Sequence, residues 1–165
     1  IVWDTAPLGQ TLGLLGTPAM LRQHLKPAPR IYSKLKLGNE TRRPVLDILK
    51  GWEKLSAADF EFLKKDVRYV LVTIPEALAI EQLDGIIAEL GKWNFQATQL
   101  IVNNVIKEVG DSAFLMAKSN QQQHYLEIVH RKYQQMEIIE IPLFPHEIKG
   151  VERLRQVERS LYGKI

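Results

Sequence analysis

Three apolar runs of strand length, 69–74, 99–103 and 138–141, are separated by stretches whose apolar residues recur at helical spacing. That alternation leaves few folds open. Consecutive strands joined by helical crossovers build a parallel sheet flanked by helices, an α/β architecture. A further short apolar segment, 1–4, ends on Asp4 and predicts a strand at the start of the chain, followed by a mainly helical stretch over 12–66.

Within that stretch Val45, Leu46, Leu49, Trp52 and Leu55 form a helical stripe, and Phe60 and Leu63 predict another short helix capped by Ser56. Lys26-Pro27-Ala28-Pro29 and Gly38-Asn39 punctuate it. Leu14, Leu15, Leu21, Leu25, Leu35 and Leu37 read as core in preference to the alternative, an apolar groove for a client. Pro75 and Glu76 open the next helix, striped by Ile80, Leu83, Ile86, Ile87 and Leu90 and stopped by Gly91. A long polar helix over 120–135 packs through Leu126, Val129 and Tyr133, and Val151, Leu154, Val157 and Leu161 stripe the last one. The Gln121-Gln122-Gln123 run is too short to count as low complexity.

Composition narrows the chemistry. The chain has 165 residues, 45% hydrophobic and 25% charged, which is ordinary for a globular domain or part of one. Zero cysteines exclude disulfides and thiolate metal sites within these residues. No apolar run approaches the length of a membrane span and no signal peptide is visible, so a cytoplasmic location is expected. Arg22, Lys26, Arg30, Lys34, Lys36, Arg42, Arg43 and Lys50 outnumber Glu40 and Asp47 across 22–50, while the rest of the chain is net acidic. Such a segment is either a solvated helix face or a surface for an acidic partner or a membrane. No aromatic interleaving accompanies the charge, so nucleic acid is not an expected partner.

Asp4, Glu76, Asn103 and Pro142 each fall at or just past the carboxyl end of a predicted strand, the edge where parallel α/β sheets bind ligands. Each also has a local role open to it: helix cap for Asp4, dipole compensation for Glu76, turn former for Asn103, strand stop for Pro142. An aspartate at a strand end followed by small and turn-forming residues suits a site that holds magnesium and senses a phosphate.

The segments Ile-Val-Trp-Asp-Thr-Ala-Pro-Leu-Gly-Gln-Thr, Val-Leu-Val-Thr-Ile-Pro-Glu, Leu-Ile-Val-Asn-Asn and Ile-Pro-Leu-Phe-Pro-His-Glu-Ile-Lys-Gly, in this order, resemble the family of arsenite-pump ATPases and tail-anchored-protein targeting ATPases. These are dimeric P-loop proteins. The resemblance implies ATP and Mg2+ as ligands and assigns Asp4 to a magnesium-bound water in the switch segment, with Gly9 and Gln10 in the same loop. It assigns Asn103 to the adenine edge, Pro142, Leu143 and Phe144 to the loop along the adenine face, and Glu76 to nucleotide across a homodimer boundary. Chemically, Asn103 carries both a donor and an acceptor, as base reading requires.

No Gly-x-x-x-x-Gly-Lys-[Ser/Thr] occurs in the sequence, so the phosphate cradle is missing from these residues and no catalytic residue is visible. The expectation is therefore that 1–165 is the C-terminal part of one P-loop ATPase domain, with 12–66 as a helical insertion. Leu8 and Gln10 stand where the family pattern has threonine and histidine, and Gln10 does not titrate near neutrality. Met116-Ala117-Lys118-Ser119 aligns with the Cys-x-x-Cys that clamps zinc between subunits of the targeting branch, so no zinc clamp is expected.

A metalloid pump needs soft thiolates, which disfavours arsenite efflux. The function expected is an ATPase that switches the conformation of a homodimer handling a protein or membrane-associated client. A nucleotide-sensing interaction module with weak or no hydrolysis is the alternative.

Overall fold

A computed structural model describes residues 1–4, 13–34 and 39–163. The chain divides into two units, one of residues 1–67 with 92–95, the other of residues 68–91 with 96–165.

The helical unit contains α1 (Thr17–Leu25), α2 (Ala28–Lys34) and α3 (Asn39–Lys65). The Lys26-Pro27 break separates α1 from α2 as the sequence predicts. The predicted break at Ser56 is absent: α3 runs on as one helix of 27 residues. Ser56 is buried, and its hydroxyl donates to the Pro18 carbonyl of α1 rather than capping a helix. A serine is tolerated inside a helix when its hydroxyl bonds elsewhere. Phe60, Trp93 and Phe95 form an aromatic cluster with centroids 6.3 Å and 5.6 Å from Phe60. Gly16 lies against the Trp93 ring so closely that a Cβ there would sit 2.7 Å from it.

The sheet unit holds β1 (Tyr69–Thr73), α4 (Ala77–Lys92), β2 (Ala97–Val105), α5 (Ala113–Lys132), β3 (Glu137–Pro142) and α6 (Val151–Tyr162). Its strands form a three-stranded, all-parallel sheet in the order β1-β2-β3, flanked by helices. Register aligns Thr73 with Val102 and Val102 with Glu140, so these side chains share a face. Helix α5 lies over that face, since its His130 reaches Glu140. Leu100 and Val102 are completely buried, and Ile80, Leu83, Ile86 and Leu90 of α4 join Leu126 and Val129 of α5 in the core. Burying one such side chain contributes about 1.5–3 kcal/mol. Helix α6 packs against β3.

Two boundaries differ from expectation. Helix α5 begins well before residue 120, because Ser112 caps it by accepting from the Leu115 N–H at 3.3 Å. Its first turns carry Phe114 and Met116 exposed, so the apolar period that marks the rest of the helix is missing there. Residues 1–4 belong to no strand, and Ile1, Val2 and Trp3 are exposed. A strand exists only through its ladder, and among the described residues this segment pairs with none.

Candidate functional site

The carboxyl edge of the sheet is shaped by the irregular end of β2. Register against β3 shifts between Val102 and Val105, and Asn104 adopts φ +60°. Asparagine tolerates this left-handed backbone better than any branched residue. The turn aims the Asn104 N–H at the Asn103 side chain, whose Oδ1 accepts it at 2.9 Å. That bond fixes which end of the amide is oxygen. The Nδ2 group has no partner among the described residues, and Oδ1 keeps a second lone pair.

Behind this edge stands Gln122 of α5, a buried polar side chain. Its Nε2 donates to the Asn104 carbonyl at 3.1 Å and its Oε1 accepts from the Ile106 N–H at 2.8 Å. Ser119, one helical turn earlier, donates to the Ile106 carbonyl at 3.2 Å. The Leu143 N–H donates to the Val105 carbonyl at 2.8 Å, which ties the loop after β3 to the same strand end. Pro142 and Leu143 therefore sit beside Val105, two residues past Asn103 in the same strand. Asn103, Pro142 and Phe144 are half-buried and Leu143 is exposed.

The loop after β3 is braced by α6. Phe144 lies 6.0 Å from the His146 ring, and His146 Nε2 contacts Gln156 Oε1 at 3.1 Å and Arg153 at 2.8 Å. Gly150 precedes α6 with φ +79°, a conformation that favours glycine, and its carbonyl accepts from the Leu154 N–H. Glu76 sits at the same sheet edge beyond β1, exposed, with its carbonyl starting α4 by accepting from the Ile80 N–H at 3.0 Å. Pro75 beside it is fully buried.

A second polar cluster supports the edge from below. Lys107 and His130 donate to the two oxygens of Glu140, each at 2.8 Å, joining the segment after β2, α5 and β3. Burial pushes the Glu140 carboxyl up, but the hydrogen bonds from Lys107 and His130 outweigh it and hold the group below its ordinary value. On the neighbouring helices Asp84 of α4 pairs with Lys132 and accepts from the Tyr133 hydroxyl at 3.0 Å. Those two bonds lower the Asp84 carboxyl. Burial, with Asp84 adding to it, pushes the Tyr133 phenol up to about 12.

Asp4 is exposed and belongs to the helical unit, and Gly9 and Gln10 lie outside the described residues. Among the described residues no group of three or more His, Asp or Glu side chains could hold a metal ion. Gln122 and Ser119 were not singled out from the sequence, although Gln122 continues the stripe Leu126, Val129 and Tyr133 backwards by one turn, and a glutamine in an apolar stripe signals a buried polar role.

The helical unit has a feature of its own. Trp3, Leu14, Thr17, Pro18, Leu21, Trp52, Leu55, Ser56 and Asp59 line a cleft of about 650 Å³. Leu25 and Leu49 are buried as expected, but Leu14, Leu21, Trp52 and Leu55 are exposed rather than core. Among the described residues no helix is long and apolar enough to cross a membrane.

A three-stranded parallel sheet flanked by helices, with an irregular carboxyl edge on β2, defines an α/β domain of the kind that binds ligands at that edge. The chain belongs to the anion-transporting ATPase family, whose ArsA_ATPase model matches residues 1–163. It is 30% identical to ATPase GET3A of Arabidopsis thaliana, over 94% of this chain and 48% of that protein. Identity is 29% both to ATPase ARSA2 of Chlamydomonas reinhardtii, over 94% of this chain and 49% of that protein, and to ATPase GET3 of Chaetomium globosum, over 98% and 52%. The chain thus spans about half the length of the curated relatives it matches.

Proposed function

We propose that residues 1–165 are the base-binding, C-terminal part of a P-loop ATPase domain, with 12–66 as a helical insertion. ATP binding and hydrolysis switch the conformation of a cytoplasmic homodimer that handles a protein or membrane-associated client. The observation that carries this reading is the orientation of Asn103. Its Oδ1, already held by Asn104, accepts from the exocyclic amine of adenine, and its free Nδ2 donates to a ring nitrogen. Pro142, Leu143 and Phe144 supply the apolar wall along the base.

Family membership supports the remaining roles we assign. The phosphate cradle lies outside these residues, since the sequence contains no Gly-x-x-x-x-Gly-Lys-[Ser/Thr]. Asp4, Gly9 and Gln10 form the switch segment that responds to the γ-phosphate of ATP bound with Mg2+, and Glu76 contacts nucleotide across the dimer boundary. The cleft of the helical unit supports an apolar client, because exposed Trp and Leu side chains of this density mark interaction surfaces. With no cysteine in the sequence, a metalloid thiolate site is not among the activities we assign to these residues.

Asn103→Ala in the full-length protein tests the base assignment. It should weaken ATP binding by about 1–3 kcal/mol and affect GTP less. Equal losses for both nucleotides, or none, would return Asn103 to a turn-forming role.

A further inference from the structure

We propose that Gln122 is a positioning residue for base recognition, setting the adenine preference of Asn103 from the far side of the β2 turn. This role rests on the adenine-reading Asn103 proposed above. Adenine offers an amine where guanine offers a carbonyl oxygen, so an amide oxygen held toward that position favours adenine and an amide nitrogen there favours guanine. An asparagine free to rotate its amide has no preference of this kind. Preference therefore requires something that fixes the amide.

That something is a chain of hydrogen bonds reaching into α5. The Asn104 N–H meets Asn103 Oδ1 at 2.9 Å, and the peptide plane that carries this N–H, in a strand held at both ends, can turn only in concert with the Asn104 φ of +60° on its far side. The peptide after Asn104 is what Gln122 holds, with Nε2 on the Asn104 carbonyl at 3.1 Å and Oε1 on the Ile106 N–H at 2.8 Å. A single side chain thus clamps both sides of the irregular turn. The carbonyl between those two contacts, that of Val105, accepts from the Leu143 N–H, so the clamp also sets where the loop along the base begins. Gln122 is buried, with 9% of its surface exposed, and both of its amide ends are spent on backbone. A glutamine placed in an apolar helix stripe solely for packing would leave its polar atoms without partners.

The consequence is that α5 and the base pocket are mechanically joined. Removing the Gln122 amide leaves the Asn104 carbonyl and the Ile106 N–H without their partner in a protected place, which favours relaxation of the turn out of its left-handed conformation. The Asn103 amide then rotates freely. Binding of ATP weakens, while GTP loses a little and gains a little as the amide nitrogen becomes able to meet its carbonyl oxygen.

The test is a comparison of Gln122→Ala, Gln122→Glu and Asn103→Ala in the full-length protein, titrated with mant-ATP and mant-GTP and unfolded thermally in parallel. Gln122→Ala should weaken mant-ATP about tenfold and leave mant-GTP within about twofold, which collapses the ATP/GTP ratio. Gln122→Glu keeps the volume and the acceptor for Ile106 but sets a carboxylate against the Asn104 carbonyl, and should lower the ratio in the same direction. It decides the matter where the alanine variant fails to fold. A ratio unmoved by both Gln122 variants, with only a lowered unfolding temperature, overturns the positioning role provided that Asn103→Ala does move the ratio. A ratio unmoved by Asn103→Ala overturns the adenine reading itself, and the role of Gln122 with it.

Discussion

The sheet unit and the helical unit draw on the same apolar residue types and use them in opposite ways. In the sheet unit Leu83, Leu100, Val102 and Val129 are all but inaccessible. In the helical unit Leu14, Trp52 and Leu55 are more than half exposed, at 67%, 55% and 61%. Where a helix covers a parallel strand the side chains beneath it are buried, as at Leu100 and Val102, while Val72 of β1 stays 64% exposed. A helix closes its own backbone hydrogen bonds and so can present an apolar stripe to solvent without leaving polar groups unpaired. The difference teaches that the sheet unit is organised around a fixed edge and the helical unit around an open surface.

The strongest way to break this comparison is truncation on each side of it. Leu83→Ala should cost about 2–5 kcal/mol of stability, whereas Leu55→Ala should stay within about 0.5 kcal/mol, both read from urea unfolding. A large loss for Leu55→Ala would show that the cleft is closed in solution and that its side chains are core after all.

A sharper version concerns charge. Glu140→Gln should cost about 1–2 kcal/mol near neutral pH, since it weakens two hydrogen bonds to a half-buried carboxylate. The sign of its pH dependence is fixed. A carboxyl held below its ordinary value stabilises the fold above the unfolded pKa and loses that contribution as pH falls through the folded one. The acid limb of the wild-type stability profile should therefore be steeper than that of the variant, and equal slopes would remove Glu140 from the account.

A smaller effect is expected at the other end of the scale. Tyr133 is neutral in the fold with its phenol raised from 10.0 to about 12, so the unfolded chain releases this proton first as pH climbs. Its contribution is complete below the unfolded pKa and is lost as pH rises toward the folded one. Tyr133→Phe should cost about 1 kcal/mol at neutral pH through the lost bond to Asp84 and should flatten the decline of stability at high pH. An unchanged alkaline limb would contradict the burial of this hydroxyl.

How much of this was legible in the sequence follows the same division. The three strands, the parallel sheet and the place of Asn103 and Pro142 near strand ends were readable, because short apolar runs ending in turn residues are local signals. The strand expected at residues 1–4 failed for the converse reason: extended apolar sequence becomes a strand only when a partner is present. Ser56 was misread because a serine inside a helix looks like a cap until the Pro18 carbonyl that receives its hydroxyl is known. Gln122 and the Glu140 cluster join residues far apart in sequence, and no spacing rule connects Lys107, His130 and Glu140. Trp52 and Leu55 lay on a correct helical stripe, yet periodicity tells which side chains share a face and not whether anything covers it.

The most direct measurement is amide hydrogen exchange of the full-length protein with and without ATP. If the carboxyl edge of the sheet is the base site, ATP should slow exchange at Asn104 through Ile106 and at Leu143 and Phe144, while residues lining the helical cleft exchange as before or faster. Protection confined to the helical cleft, with the β2 turn and the loop after β3 unchanged, would contradict it.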